Sequence, residues 1–195
     1  MEKILNEYEI ELENIKKKPE NIVKLLGVTL DRHLTFGAHI DAAVLKAHSG
    51  LGILRKSSQF LPQNWSKLVF LSLVRPHLEY CSAVFASAAV THLKKLDIVQ
   101  KIGGRIIVDA ARDAHSAPIL EQLGIHSLHD RRKNHVYQLV GQILQGVCHP
   151  ALREMFRENE DGVLASSSTY LDRTKLGTRR FSSFAVDWIN NSTSD

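Results

Sequence analysis

Cysteine is scarce in this sequence, and its two copies stand far apart. Cys81 and Cys148 are 67 positions apart (148 − 81), and no two cysteines have the CxxC spacing of a zinc site. A disulfide framework and a zinc site built on four cysteines are therefore unsupported. We expect both thiols to be reduced, as they are in most proteins inside cells.

Long apolar segments are also missing. No run approaches the ~18 apolar residues that a membrane-spanning helix needs. The charged residues 1–7 lack the apolar segment of a secretory signal. The sequence therefore predicts an intracellular protein, in the nucleus or the cytoplasm, with no membrane partner.

What the chain does contain is an ordinary balance for a globular protein. Of its 195 residues, 44% are hydrophobic and 24% are charged, which is enough apolar material for a buried core. The formal net charge of +4 is a mild excess that is compatible with a polyanionic partner. Many basic proteins bind no polyanion, so the charge alone does not decide the function.

Two segments near the N-terminus predict a β-hairpin. Residues 7–13 place apolar side chains at every second position, and residues 22–30 are rich in β-branched and aliphatic side chains. The polar segment 16–21, which contains Pro19, is typical of a turn between them. A helix over 4–15 is the competing prediction, because the apolar residues there also fit a helical stripe.

From residue 38 onward the apolar period changes to that of amphipathic helices. Steps of three and four predict helices around 40–54, 65–73, 93–106 and 136–144. The predicted fold is therefore mainly α, with a short N-terminal β-hairpin followed by a bundle of four or five helices.

Some helix ends carry signals of their own. Asn64 is a candidate N-cap for the second helix, and Pro76 ends or kinks that helix. Ser127 and Asp130 form a pattern similar to a capping box at the start of the last long helix.

A series of short segments is the most specific feature of the chain. Residues 23–31 read VKLLGVTLD, and residues 73–82 read LVRPHLEYCS. Residues 96–101 (LDIVQK) and 123–132 (LGIHSLHDRR) follow in order. Together they resemble the C-terminal part of a non-LTR (Jockey-like) retrotransposon reverse transcriptase, although Leu25 stands where that family usually has tyrosine.

The resemblance covers roughly residues 8–190 and implies three parts. Residues 1–37 correspond to a β-hairpin at the end of the palm, in the primer-grip region, and residues 38–157 to a helical thumb and connection domain. The composition of the third part, 158–195, predicts a polar, poorly ordered tail, because 158–183 are rich in Ser, Thr and Arg. Within it, the apolar residues of 184–189 are expected to form an element that packs back. An upstream palm and fingers domain is an implied partner.

The same resemblance implies a polymerase family, but we do not expect this chain to contain the metal-binding residues of the polymerase active site. The family holds Mg²⁺ through a palm aspartate and an Asp-Asp hairpin, which carry the two-metal chemistry of nucleotide addition. This sequence contains no adjacent Asp-Asp pair. We therefore expect no catalytic residue, no metal site and no cofactor in this chain, and no RNA-directed DNA polymerase activity from it alone.

Basic residues on the predicted helices are the candidates for contact with a primer–template duplex, which is held through its phosphates. Lys94, Lys101 and Arg105 share one helix face because they are seven and four positions apart. Lys24 and Gly27 lie at the implied primer grip, where glycine permits close backbone approach. The competing interpretation is a solvated polar face. The nucleic-acid-binding candidates are Lys24, Gly27, Lys46, Arg55, Lys56, Lys94, Lys101 and Arg105.

Other residues support weaker hypotheses. Trp65 and Tyr80 could stack on bases, although core packing is the simpler interpretation. The basic residues 131–133 begin a helix, where positive charge is unfavourable. We expect them to have an acidic partner, either a phosphate or a carboxylate such as Asp130 or Glu121.

Two functions remain open from the sequence. The first is non-sequence-specific holding of an RNA–DNA hybrid or another nucleic-acid duplex, without the catalytic aspartates. The second is a host-recruited or degenerate helical module that binds proteins and has no nucleic-acid role, which predicts scattered basic residues. A reading frame with no retained function is a third interpretation.

Overall fold

The computed structural model describes residues 10–12, 15–17, 20–158, 164–166 and 181–192. The strands among them are β1 (Ile10–Leu12), β2 (Ile15–Lys17), β3 (Ile22–Leu25), β4 (Val28–Asp31), β5 (Phe156–Glu158) and β6 (Leu164–Ser166). The helices are α1 (Gly37–Ser58), α2 (Gln63–Leu73), α3 (Arg75–Glu79), α4 (Val90–Ile107), α5 (Ser116–Gln122), α6 (Leu128–Leu144), α7 (Pro150–Arg153) and α8 (Phe181–Ser192).

The predicted fold class is confirmed: the structure is mainly α-helical, and short strands at the N-terminus precede the helices. Five of the helices within the described ranges, namely α1, α2, α4, α6 and α8, have eleven or more residues. Among the described residues, no helix combines the length and the apolar character that crossing a membrane requires. The boundaries of the three predicted parts stay predictions.

The pairing predicted for the N-terminal hairpin is wrong. Segment 22–30 does not pair with 7–13; instead β3 pairs with β4, with Leu25 opposite Val28, and β1 pairs with β2. Ile15–Lys17 is therefore strand rather than the start of a turn. Leu26 and Gly27 have φ values of 46° and 85°, so a two-residue turn closes β3 onto β4 with little loop entropy lost.

The β3–β4 turn is held by a tyrosine that lies far along the chain. The Tyr80 hydroxyl donates a hydrogen bond to the carbonyl oxygen of Leu26 at 2.7 Å. A Cβ atom at Gly27 would lie 3.3 Å from Cε1 of Tyr80. The close approach at Gly27 therefore serves packing against an aromatic ring within the chain.

Asp31, at the end of β4, organises the loop that enters α1. Its carboxylate accepts hydrogen bonds from the backbone N–H groups of His33, Thr35 and Phe36 and from the Thr35 hydroxyl. Leu34 and Phe36 have positive φ values of 49° and 58°, an unfavourable conformation for such residues. The four hydrogen bonds onto one carboxylate help to hold this strained loop.

The main core lies between α1, α2, α3 and α4. Phe70 of α2 is fully buried at its centre, and a Cβ atom at Gly103 of α4 would lie 2.3 Å from Cε2 of Phe70. Only glycine therefore permits α4 to approach α2 this closely. The largest fully buried side chains of this core are Ile40, Leu54, Phe70, Leu78, Phe85, Leu96 and Leu128.

A second core joins α6, α8 and β5. It contains the buried residues Val136, Val140, Ile143, Phe156, Ala185 and Val186. The C-terminal element predicted to pack back is thus α8, which contacts α6.

One predicted helix cap is confirmed and another is wrong. Ser127 caps α6, because its hydroxyl oxygen accepts a hydrogen bond from the Asp130 N–H at 3.1 Å. Asn64 does not cap α2: Pro62 is the N-cap, and Asn64 is the second helical residue. A proline before the helix leaves the first turn without a side-chain cap.

We expect Gly27→Ala to destabilise the protein by about 1–2 kcal/mol, since it places a side chain in a left-handed conformation against Tyr80. Gly52→Ala is the matched control. A Cβ atom at Gly52, inside α1, meets nothing within 4 Å, so this change should stabilise by about 0.5–1 kcal/mol. Urea unfolding measures both, and equal effects would contradict the packing role of Gly27.

We expect stability to fall in two separate steps on acidification. Burial, and next Lys46, lower the pKa of His39 below its ordinary 6.5, so its contribution is complete above pH 6.5 and declines below that value. For Asp31, burial acts to raise the pKa, but the hydrogen bonds from Thr35, Phe36 and His33 lower it below 3.8. Its contribution is therefore complete above pH 3.8 and is lost as the pH falls through the lowered pKa.

Urea midpoints measured across this pH range test both steps. His39→Gln should flatten the decline that begins below pH 6.5 and leave the more acidic step in place. Asp31→Asn should remove the acidic step alone. An unchanged pH profile in either variant would contradict the assignment of that step.

Candidate nucleic-acid interface

The parallel arrangement of α1 and α4 brings their C-terminal ends to the same side of the molecule. Near their starts, the Lys95 Nζ atom lies 2.6 Å from Oδ1 of Asp41. Nearby, a Cβ atom at Gly37 would lie 2.9 Å from Cε1 of His92. At their other ends, residues of the last turns of both helices line one cavity, so these turns lie side by side.

A cleft of about 780 Å³ opens between these two helix ends. Both helices and the loop after α4 contribute to its walls. The lining residues are Arg55, Ser58, Gln59, Ile102, Arg105, Ile106, Ile107, Asp109, Ala110 and Arg112. We call this cavity the arginine cleft, because three of its side chains are guanidinium groups.

The loop after α4 folds back and fixes one of the arginines. The Arg105 Nε–H donates a hydrogen bond to the carbonyl oxygen of Ala114 at 2.8 Å, and the Ala110 N–H donates to the carbonyl oxygen of Arg105 at 2.9 Å. These bonds hold Arg105 half-buried. Arg55 and Arg112 remain exposed and available to a ligand.

The charge of the arginine cleft is positive even after the helix ends are counted. Three arginines and Asp109 give a formal charge of +2 (3 − 1). Each helix C-terminus contributes about −0.5 charge, so the two together offset about half of that excess. The charge of the arginines therefore exceeds what the helix dipoles neutralise, and the remaining positive charge suits an anionic ligand.

A basic stripe on α4 leads toward the arginine cleft. Lys94 and Lys101 are exposed, and the helical period places both on the same face as Arg105. Lys95, on a different side of α4, is paired with Asp41 instead. The stripe from Lys94 to Arg105 extends about 16 Å along the helix axis, at 1.5 Å per residue.

The other predicted residues do not join this surface. Lys46 precedes Arg55 by nine positions, which is two and a half helical turns, so the two side chains leave α1 on opposite sides. Lys24 and Gly27 belong to the β3–β4 hairpin, which contacts α1 near His39. Since 16 residues separate His39 from Arg55, about 24 Å of helix lies between the hairpin and the arginine cleft.

Lys56 lies close to the arginine cleft without lining it. It follows Arg55 directly and is exposed, but it leaves α1 about 100° further round the helix axis. It can add to the local positive potential from the outer surface of α1. Of the predicted set, the structure therefore brings together Arg55 and Arg105 in the arginine cleft. Lys94 and Lys101 lie on the same face of α4 as Arg105 but do not line the cleft, and Lys101 lines a separate cavity with Asp97 and Glu121.

Sequence reasoning missed Arg112. It stands between Asp109 and Asp113 in a segment with no helical period, so nothing marks it as part of a basic surface. It reaches the arginine cleft only because the loop after α4 folds back against Arg105.

The simpler interpretation of the two aromatic candidates is wrong. Trp65 is 60% exposed and Tyr80 is 53% exposed, so neither belongs to the core. They lie at the surface because the neighbours Ser66 and Phe70 take the buried face of α2, while Tyr80 follows the end of α3. Tyr80 is engaged with Leu26, as described above.

The acidic partner predicted for residues 131–133 exists, but it comes from α3. Arg131 donates to both carboxylate oxygens of Glu79, and this hydrogen bonding raises the pKa of Arg131. Arg132 is only 3% exposed, and burial lowers its pKa although Asp97 and Glu79 act in the opposite direction. Asp130 interacts with Ser127 instead. These arginines connect α6 to the main core.

Potential metal-binding side chains are dispersed within the described residues. Nowhere in the described ranges do three or more His, Cys, Asp or Glu side chains gather as metal ligands. His126, His129 and His135 form no such group; the Nδ1 atom of His135 instead lies 2.7 Å from the Ser82 hydroxyl oxygen.

Polymerases of mobile elements from Drosophila melanogaster are similar to this chain. The probable RNA-directed DNA polymerase from transposon BS is 26% identical over 131 residues, which is 65% of this chain and 14% of that protein. The probable RNA-directed DNA polymerase from transposon X-element is 23% identical over 178 residues, 84% of this chain and 19% of that protein. The RNA-directed DNA polymerase from mobile element jockey is 32% identical over 116 residues, 57% of this chain and 12% of that protein.

The chain thus spans between 12% and 19% of the length of these relatives. No model of a protein family matches the sequence. No solved structure matches it either. The resemblance that the short segments predict is nevertheless confirmed: this chain is related in sequence to the RNA-directed DNA polymerases of non-LTR, Jockey-like retrotransposons.

Proposed function

We propose that this chain is a thumb-like, nucleic-acid-holding part of a retrotransposon RNA-directed DNA polymerase. It binds a primer–template duplex through the phosphates and does not read the base sequence. The observation that carries the proposal is the arginine cleft, in which Arg55, Arg105 and Arg112 converge on one concave surface.

The stripe on α4 extends this surface to the length of a nucleic-acid contact. From Lys94 to Arg105 it extends about 16 Å, which matches about five nucleotides at 3.4 Å per nucleotide along one strand. Exposed lysines at this spacing contact phosphates without distinguishing bases. The proposed contact with the duplex therefore runs along α4 and ends at the arginine cleft, which lies at the opposite end of α1 from the hairpin.

Nucleotide addition lies outside this proposal. The two-metal mechanism requires carboxylates that hold both ions against the reacting oxygens. The sequence contains no adjacent Asp-Asp pair, and the described residues contain no metal-binding group. The chain contributes a hold on the duplex, and the Mg²⁺-binding aspartates belong to a palm domain that acts with it.

The second candidate function, a protein-interaction module, is favoured by the surface of β3. All four β3 residues are exposed, including Ile22 at 53% and Leu25 at 58%, and Leu26 in the turn is 84% exposed. A two-stranded ribbon is only marginally stable by itself and gains from a larger sheet. A partner protein that covers this ribbon would be compatible with either function.

We expect the double variant Arg55→Gln, Arg112→Gln to weaken binding to an RNA–DNA hybrid. Loss of two phosphate contacts should reduce the slope of log affinity against log salt by about two. Fluorescence anisotropy of a labelled hybrid, titrated at several salt concentrations, measures both quantities. The control is Arg32→Gln, Lys67→Gln, which changes the charge equally outside the arginine cleft and should leave the slope nearly unchanged.

The result of this titration distinguishes the two candidate functions, nucleic-acid holding and protein interaction. If the unmodified chain binds no hybrid even at low salt, the nucleic-acid proposal is overturned and the interaction module is preferred. Equal losses in the cleft variant and in the control would also count against the arginine cleft, since net charge alone would then explain binding.

We expect the chain alone to add no nucleotides to a primed RNA template in the presence of Mg²⁺, because it cannot position two metal ions. Primer extension on a sequencing gel checks this, with an intact reverse transcriptase as positive control. Extension above the background of the same preparation without primer would contradict the proposal.

A further inference from the structure

Two aromatic side chains are exposed where α1 connects to α2. Phe60, in the connection, is 81% exposed, and Trp65, the third residue of α2, is 60% exposed. Isolated exposed apolar residues are common on protein surfaces. This pair is distinguished by its place in the chain, because both residues follow closely on the end of α1 that lines the arginine cleft.

The backbone places Phe60 at the rim of the arginine cleft. Ser58 and Gln59 line the cleft, and the Cα atom of the next residue, Phe60, is about 3.8 Å from that of Gln59. The Phe60 N–H donates to the carbonyl oxygen of Ser57 at 2.9 Å, which fixes the turn. Trp65, the third residue of α2, follows Phe60 by five positions in the chain.

The side chains of Phe60 and Trp65 are not engaged elsewhere. Within the described part of the chain, neither makes a ring–ring contact or a side-chain hydrogen bond. Tyr80 provides the contrast: it is exposed to a similar degree, but its hydroxyl and ring hold the hairpin turn at Leu26 and Gly27. Phe60 and Trp65 are therefore free to contact a ligand with their ring faces.

The combination of cations and free aromatic rings has a specific meaning. Guanidinium groups neutralise phosphates, and aromatic rings stack on bases regardless of their identity. In a duplex the bases already stack on their neighbours, so only an unpaired strand can offer their faces. A purely apolar partner would gain nothing from Arg55 and Arg112 at the same site.

We propose that Phe60 and Trp65 form a stacking platform for the bases of an unpaired strand whose phosphates lie in the arginine cleft. The proposal rests on the proposed function, since it assumes that the cleft binds nucleic acid. It adds that the nucleic acid held along α4 continues at the cleft as an unpaired strand of RNA or DNA, such as a template beyond its duplex.

The test compares three labelled probes with the full chain by fluorescence anisotropy. They are a single-stranded oligo(U) of about twelve nucleotides, a blunt RNA–DNA hybrid of equal length, and heparin, which has charge but no bases. Phe60→Ala and Trp65→Ala should each weaken oligo(U) binding roughly 5- to 100-fold. Binding of the blunt hybrid and of heparin should change less than twofold.

Leu45→Ala is the matched control, because Leu45 is a 71% exposed apolar residue on the same helix as Arg55. It should leave all three affinities unchanged. Stacking should also quench the fluorescence of Trp65, observed in a Trp188→Phe background since the chain has two tryptophans. Circular dichroism verifies that each variant retains its helices.

The results distinguish failure of this inference from failure of the proposed function. The stacking proposal is overturned if Phe60→Ala and Trp65→Ala bind oligo(U) normally while Arg55→Gln, Arg112→Gln does not. The proposal that the arginine cleft binds nucleic acid is then retained. The cleft itself is overturned if the arginine variant binds every probe normally. A change in oligomeric state on Phe60→Ala or Trp65→Ala, without loss of oligo(U) binding, would indicate a protein-facing surface and would also overturn stacking.

Discussion

The close approach of α4 to α2 is the contact on which the candidate site depends. Because Gly103 has no side chain, the ring of Phe70 fits directly against the α4 backbone, where a Cβ atom would lie only 2.3 Å away. Both helices also pack against α1, so that α1, α2 and α4 share one core. Arg105 lies two residues after Gly103, so the packing that fills the core also sets the distance between Arg105 and Arg55.

The most recognisable segment of the sequence, 73–82, has a structural role that explains its composition. Leu78 is fully buried in the main core, and Glu79 binds Arg131 of α6. Tyr80 holds the hairpin turn, and the Ser82 hydroxyl lies 2.7 Å from Nδ1 of His135. One short segment therefore connects the hairpin, the main core and α6. Its polar residues hold elements of the chain together, and they are not part of the arginine cleft.

The molecule has two surfaces suited to partners, at opposite ends of α1. The β3–β4 hairpin presents an exposed apolar ribbon, which suits a neighbouring sheet. The arginine cleft presents guanidinium groups, and the exposed Phe60 directly follows its wall in the chain. Under the proposals above, this combination suits a polyanion that has flat bases. Under the proposed function, the first surface would join a catalytic domain and the second would hold a nucleic acid. About 24 Å of helix separates them.

The sequence by itself determined the helices, the helix faces and the relationship to retrotransposon polymerases. Periods of three and four residues depend on local geometry, so they correctly place Lys94, Lys101 and Arg105 on one face of α4. Only the tertiary structure decided which strands pair and which cations meet. Alternation of apolar residues does not name a partner strand, so the local turn at Gly27 closed a different hairpin from the one expected. The convergence of Arg55, Arg105 and Arg112 depends on parallel helix packing and on a loop that folds back, and neither leaves a periodic signal in the chain.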